Sequence, residues 1–311
     1  MKPLVVAVVG PTAVGKTSLS VEIARNFAGE VISGDSMQIY RGMDIGTAKI
    51  TKEEMKGVPH HLIDIKQPDD TFSVAEFQQK VADCVKEITE RNHLPIIAGG
   101  TGLYIQAALN GYIFADEKRD DTYHKKLEDE IDCYGIDTLY AKLRSVDPEQ
   151  AKKIHPNNKR RVIRALEVFE KTGKTMSEYQ AAQQADSPYR PVILGLDMER
   201  DLLYQRINTR VDEMVESGLV EEVKHLYNQG FSNSQSMKAI GYKEIIPYLN
   251  GEMTLDEAVG LLKRNSRRFA KRQLTWFKNK MDIHWYTIDP GKKEEQFEII
   301  LSELAGMLQK K

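Results

Sequence analysis

The chain has 311 residues, 41% hydrophobic and 29% charged, with a formal net charge of −2. That length exceeds one minimal domain and that composition can bury a core, so a disordered chain is excluded and about two compact units, or one with a large insertion, are expected. The near-neutral balance gives no global attraction to nucleic acid or to an acidic membrane, and two cysteines, Cys84 and Cys133, supply neither a disulfide framework nor a zinc site, which leaves them as buried or inert thiols.

The first element is an apolar run at residues 3 to 9, far short of the ~20 residues that span a bilayer. Gly10 and Lys16 stand where a signal peptide would carry its cleavage site. The run therefore reads as a strand, and the chain as a soluble, cytoplasmic one with no membrane partner. Residues 17 to 27 follow with Leu19, Ile23, Ala24 and Phe27 at helical spacing. Between strand and helix lies Gly10-Pro11-Thr12-Ala13-Val14-Gly15-Lys16-Thr17, which fits the phosphate-loop template G-x-x-x-x-G-K-[ST]. Glycines permit close backbone approach, the N–H groups at the helix start face the phosphate, Lys16 adds charge, and the Thr17 hydroxyl ligates Mg2+. The loop leaves open which phosphate ester is held and what chemistry follows.

A second apolar stretch, Glu30 to Ser33, runs into Gly34 and Asp35; a third, Pro95 to Ala98, runs into Gly99-Gly100-Thr101-Gly102; a fourth, Pro191 to Leu196, ends at Asp197. Parallel strands stop in this way where their carboxyl ends meet a ligand crevice. With Ser73 to Thr89 helical between them, the alternation predicts an α/β fold, a doubly wound parallel sheet like that of P-loop NTPases. Residues 116 to 187 change to charged helical segments, among them Thr122 to Ile131 and Lys159 to Phe169, and read as an α-helical insertion domain within a core of residues 1 to 115 and 188 to 311. From Leu202 onward the chain reads as helical, and Thr254 with Glu257 forms a capping box that opens a long helix toward Lys278.

Asp35 would enter the phosphate crevice if its strand neighbours the first. There it would ligate Mg2+ through water or accept a proton from a substrate, or else simply cap a turn. Thr101 is a similar case, since its flanking glycines suit either close approach to a ligand or a tight turn. Asp197 is better read as a turn residue than as a metal-binding carboxylate, because Leu194-Gly195-Leu196 before it is not a run of bulky residues. His60 and His61 are adjacent and so point to opposite faces of a strand, which favours a structural role. Arg206 and Arg210 lie four apart and suit either a phosphate or the neighbouring Asp212 and Glu213.

No acidic residue lies between Glu257 and Asp282, while Lys263, Arg267 and Lys271 form one i, i+4 row and Arg264, Arg268 and Arg272 another. Like charges so spaced cost about 0.2–0.5 kcal/mol per pair, and a polyanion would relieve that repulsion, so the helix reads as an RNA- or DNA-binding face. A second basic cluster comprises Lys152, Lys153, Lys159, Arg160, Arg161 and Arg164.

Together with GPTAVGKT from Gly10, the strings DSMQIYRGMDIGTAK from Asp35, PHHLID from Pro59, GGTGLY from Gly99, RRVIRALE from Arg160, AIGYKE from Ala239 and KRQLTWFK from Lys271 resemble the bacterial tRNA dimethylallyltransferases along essentially the whole chain. The resemblance implies transfer of a dimethylallyl group from dimethylallyl diphosphate to the exocyclic amine of the adenosine 3′ of a tRNA anticodon, with the phosphate loop holding diphosphate rather than ATP. By similarity Asp35 is the general base, and Thr17, Lys16 and Arg210 are the diphosphate and Mg2+ contacts, with Thr101 also at the catalytic centre. Asp35, Ser36, Met37, Gln38 and Thr101 match positions that contact the target adenosine. Arg160, Arg161, Arg164, Lys238, Lys243, Lys271, Arg272, Gln273 and Trp276 match tRNA contacts, and His124 stands near where an arginine contact is frequent. The expected partners are the anticodon stem-loop and the prenyl donor, bound by a monomer. Against this stand a small-molecule kinase, which has little use for two basic clusters, a nucleic-acid-binding ATPase, which needs a metal-binding carboxylate that the chain does not clearly offer, and a plant-hormone relative acting on free nucleotides.

Overall fold

The computed structural model describes residues 2–114, 121–182 and 186–309. The chain divides into two units, one of residues 1–110 and 187–311, the other of residues 111–186. The expected boundary at 115/116 lies outside the described residues.

In chain order the first unit begins β1 (Leu4–Val9), α1 (Lys16–Asn26), β2 (Gly29–Ser33), α2 (Lys52–Met55), β3 (His60–His61), α3 (Val74–Glu90), β4 (Leu94–Gly99) and α4 (Gly102–Asn110). The second unit holds α5 (Asp121–Tyr134), α6 (Ile136–Val146), α7 (Pro148–Lys153), α8 (Lys159–Thr172) and α9 (Met176–Ala181). The first resumes with β5 (Arg190–Asp197), α10 (Arg200–Glu216), α11 (Leu219–Asn228), α12 (Ile246–Leu249), α13 (Leu255–Lys280), β6 (His284–Thr287) and α14 (Lys293–Gln309). No helix among the described residues is long and apolar enough to cross a membrane.

All six strands run parallel in the order β3-β2-β4-β1-β5-β6. The phosphate-loop strand is central, and alternation along it feeds two cores. Val5, Ala7 and Val9 join Phe77, Val81 and Ile88 of α3 on one face; Val6 and Val8 join Leu19 and Ile23 of α1 on the other. A strand buried on both faces has no polar side to show, which is why it reads as an unbroken apolar run. The second unit has its own core around Leu127, Leu139, Leu143, Val162 and Leu166. Caps mark the helix starts that the sequence signals: the Ser73 and Thr254 hydroxyls accept from the N–H groups of Glu76 and Glu257.

One expectation needs correction, and two points left open are decided. The segment after Leu202 is not wholly helical, because His284–Thr287 pairs in parallel with Leu194–Asp197 as an edge strand. Its four residues carry no apolar run, and it docks because Gly195 leaves room for Trp285, whose ring a Cβ at that position would strike. Secondly, β2 does not neighbour β1; β4 lies between them. Thirdly, of the two thiols given as buried or inert, Cys133 is exposed, while Cys84 is half-buried, its thiol pushed up to about 11 by burial.

Candidate active site

The loops after β1, β2, β4 and β5 leave the carboxyl edge of the sheet together. Gly10 takes φ +146°, and a Cβ there would collide with the Leu196 carbonyl oxygen, so only glycine lets the phosphate loop leave β1 beside β5. Gly15, at φ +108°, sits at the start of α1, whose first turn carries no acidic residue to occupy its free N–H groups. Val14 is 1% exposed and belongs to the core, so its side chain anchors the loop. Pro11 is also buried, whereas Thr12 and Ala13 are half-buried. The Lys16 ammonium donates to the Pro11 carbonyl at 2.6 Å. Burial, then the positive charge of Arg210, lower its pKa to about 7, with Asp35 pulling the other way. The Thr17 side chain is exposed at the first turn.

Asp35 Oδ1 accepts from the Met37 N–H at 2.8 Å, so the turn reading is correct as far as it goes. It does not exclude a chemical role: burial raises the Asp35 pKa, opposed by the Met37 and Gln38 N–H groups and by Lys16 and Arg210. Although β2 is one strand removed from β1, the carboxylate lies in the same field as both cations. The Thr101 hydroxyl accepts from the Ser36 N–H at 3.2 Å and approaches the Ser36 hydroxyl at 3.5 Å, tying the loop after β4 to that after β2. Gln38 is committed to its own loop, accepting from Ser33 at 3.0 Å and donating to the Thr47 and Ala48 carbonyls at 3.3 Å. Ser36 and Met37 are half-buried.

One anchoring residue carried no sequence signal. The Glu222 carboxylate of α11 accepts from the N–H groups of Asp44, Ile45 and Gly46 at 2.8–3.0 Å and from the Tyr242 hydroxyl at 2.6 Å. The AIGYKE segment thus contributes Tyr242, fully buried, and Glu244, which accepts from Gly241 N–H and Asn265. Lys243 in this segment and Lys238 just before it remain exposed.

Helix α13 presents two kinds of surface. Arg264, Arg268, Lys271, Arg272 and Lys278 are exposed, but the helix is less one-signed than it reads. Lys263 pairs with Asp212 at 2.6 Å, Arg267 donates to Asn208 at 2.6 Å, and Lys278 pairs with Asp197 at 2.6 Å. Facing α10 therefore relieves part of the repulsion that seemed to demand a polyanion. Gln273 and Trp276, grouped with the RNA contacts, are held against the loop after β4. Gln273 is 5% exposed, accepting from the Thr12 N–H and donating to the Gly100 carbonyl, both at 2.9 Å. The Trp276 indole is half-buried against Gly102, where a Cβ would collide with it. These two side chains explain Gly100 and Gly102: helix and loop approach too closely for any Cβ.

Arg210 is half-buried, while Arg206 donates to the Ala13 carbonyl at 3.1 Å and so braces the phosphate loop. Asp197 caps its own turn through the Met198 N–H. The adjacent histidines diverge: His60 Nδ1 donates to the Val58 carbonyl, whereas His61 joins Arg91 and His93 around Glu30. Among the described residues no three His, Cys, Asp or Glu side chains converge on a metal site.

In the second unit Arg160, Arg161 and Arg164 are exposed along α8. His124 is not a free contact. Its Nδ1 lies 2.6 Å from the buried Glu167 and its Nε2 3.3 Å from Glu128, and Glu167 also meets Arg164 at 3.6 Å.

With this geometry in place, the relatives can be compared. Residues 38–280 match the family model described as IPP transferase. A tRNA dimethylallyltransferase of Oceanobacillus iheyensis is 56% identical over 311 residues, covering 100% of this chain and 99% of the relative. One of Halalkalibacterium halodurans is 54% identical over 312 residues, covering 100% and 99%. The full-length tRNA isopentenylpyrophosphate transferase of Bacillus halodurans superposes with a TM-score of 0.75 at 52% identity, over 99% of this chain and 97% of that one. A eukaryotic dimethylallyltransferase acting on tRNA gives 0.84 at 31% identity, over 97% and 77%.

Proposed function

The chain belongs to the IPP transferase family, and on that premise we propose that it moves a dimethylallyl group from dimethylallyl diphosphate to the exocyclic N6 amine of adenosine 37, 3′ of the anticodon in tRNA, releasing diphosphate. The observation that carries this reading is the electrostatic coupling of one half-buried carboxylate, Asp35, to two cations, Lys16 and Arg210. A kinase and a prenyltransferase both need the cations. A carboxylate whose basicity is raised by burial suits an acceptor amine that is a weak nucleophile because its lone pair is delocalised into the purine ring.

The N6–C1 bond forms as the C1–O bond to diphosphate breaks, and the N6 proton goes to Asp35. Lys16, Arg210 and the N–H groups at the start of α1 neutralise the charge that grows on the leaving group. Thr17 offers the hard hydroxyl oxygen that suits Mg2+, which when bound adds further charge neutralisation on the diphosphate. An adenine inside an anticodon stem-loop has to be splayed out of its stack to meet the donor. Thr101, Ser36 and Met37, half-buried beside Asp35, are the surface offered to the acceptor. Lys238, Lys243, Arg264, Arg268, Lys271 and Arg272 in the first unit and Arg160, Arg161 and Arg164 in the second are the exposed cations available to RNA phosphates. Every group invoked belongs to one chain, so a monomer suffices. The test is to incubate the protein and Mg2+ with unmodified tRNA and dimethylallyl diphosphate and to weigh the RNA. A gain of one prenyl unit is expected; no gain, with phosphate released from ATP instead, sinks the reading.

A further inference from the structure

A primary amide buried to 5% exposure must place its carbonyl and amino groups on partners. Gln273 does so across two loops rather than within its own helix. Its Oε1 accepts the Thr12 N–H of the loop after β1, and its Nε2 donates to the Gly100 carbonyl of the loop after β4. The fit is tight on the Gly100 side, where even a methyl group would strike Nε2. Under the reaction proposed above, these two loops carry opposite partners. The first bears Lys16 and Thr17, which face the leaving diphosphate. The second bears Thr101, whose hydroxyl holds the Ser36 N–H beside Asp35, the base. A rigid planar amide thus sets the spacing between the leaving-group side and the nucleophile side of one site.

We infer that Gln273 is a positioning residue: it fixes the register of the phosphate loop against the acceptor loop through their backbones, and it does not contact RNA. Its immediate neighbour Arg272 is exposed, so consecutive residues of α13 divide the work, one facing solvent and one joining the loops. The inference rests on the proposed prenyl transfer. Because reacting atoms need near-attack geometry, a misplacement of about 1 Å can cost on the order of a hundredfold in rate without loss of binding.

The experiment uses the full chain with Gln273→Met, which keeps length and volume but loses both bonds, and with Gln273→Glu. The latter keeps an acceptor for Thr12 but sets an oxygen against the Gly100 carbonyl. Transfer to unmodified tRNA is measured at saturating substrates, with dissociation constants for tRNA and for inorganic diphosphate and a thermal melt. In Gln273→Met kcat is expected to fall roughly 30- to 100-fold, while both dissociation constants stay within about threefold and the folded fraction is unchanged. Gln273→Glu is expected to fall at least as far. A kcat within about threefold of the wild type in both variants overturns the inference, as does a loss no larger than the drop in folded protein. A tRNA dissociation constant raised about tenfold or more with kcat kept would make Gln273 an RNA contact instead, and also overturns it. A wild-type chain that transfers nothing overturns the prenyl-transfer reading itself, which separates that failure from this one.

Discussion

Replacing Asp35 by asparagine keeps the turn and removes the base. The asparagine carbonyl oxygen can accept the Met37 N–H as Oδ1 does at 2.8 Å, and the side-chain volume hardly changes. What is lost is a negative charge beside Lys16 and Arg210 and the capacity to take the N6 proton. A positioned general base contributes about 10²–10⁴ in rate, or about 3–5 kcal/mol of barrier, so kcat is expected to fall by that factor. Stability should move the other way or not at all. Burial holds the folded Asp35 pKa above its ordinary value. Such a group favours folding below its unfolded pKa, and that contribution is lost as pH rises through the folded pKa. Once ionised, the carboxylate is therefore a cost that asparagine removes. The assay is single-turnover prenyl transfer with enzyme in excess, alongside a thermal melt and tRNA binding. The wild-type rate should rise with pH through a carboxyl pKa above the ordinary aspartate value, and the variant should lack that limb. A rate within about threefold of the wild type, or a loss matched by lost tRNA binding, refutes the assignment.

Four further outcomes are expected. Lys16, its pKa lowered to about 7, is only partly charged in the free chain near pH 7, and an anion raises its pKa; diphosphate binding should therefore draw a fraction of a proton onto Lys16 near pH 7 and weaken above it, read by calorimetry in buffers of different ionisation enthalpy, and equal heats in all buffers would contradict this. The same depressed pKa means the ligand-free chain gains stability as pH rises from about 7 toward 10.5, since the unfolded lysine binds more protons there. Glu222→Ala strips partners from three backbone N–H groups and Tyr242, each worth about 1 kcal/mol or more when left unmet, so chemical denaturation should show a loss of at least about 2 kcal/mol; a loss under 0.5 kcal/mol would mean that water replaces the carboxylate. Arg268→Glu with Arg272→Glu should weaken tRNA binding and flatten its salt dependence by about 0.7–0.9 per lost phosphate contact, with diphosphate affinity kept; an unchanged slope measured by filter binding would remove α13 from the RNA face.

The phosphate loop, its flanking strand and helix, and the family were all legible in the chain, because each is written in contiguous residues. Backbone N–H cradling needs glycine at set intervals, a doubly covered strand needs an apolar run, and the helix after the loop shows in apolar residues at helical spacing. Asp35 was visible as a strand-end carboxylate, but whether its strand neighbours the first was left open: strand order is a choice among pairings that local pattern does not encode. The edge strand at His284 was invisible for the same reason, since only the space above Gly195 makes four mixed residues pair. Gln273 and Trp276 were grouped with the tRNA contacts by resemblance alone, and only the docking of α13 on Gly100 and Gly102 shows them turned inward. Glu222 had no local signature whatever, because its partners, residues 44–46, lie far from it along the chain. The sequence by itself determined which groups can hold a diphosphate and accept a proton, since that depends on side-chain chemistry and short-range geometry. Only the tertiary structure decided which charges are free, which amide joins two loops, and which carboxylate shares a field with Lys16, because burial and pairing belong to residues that meet across the fold.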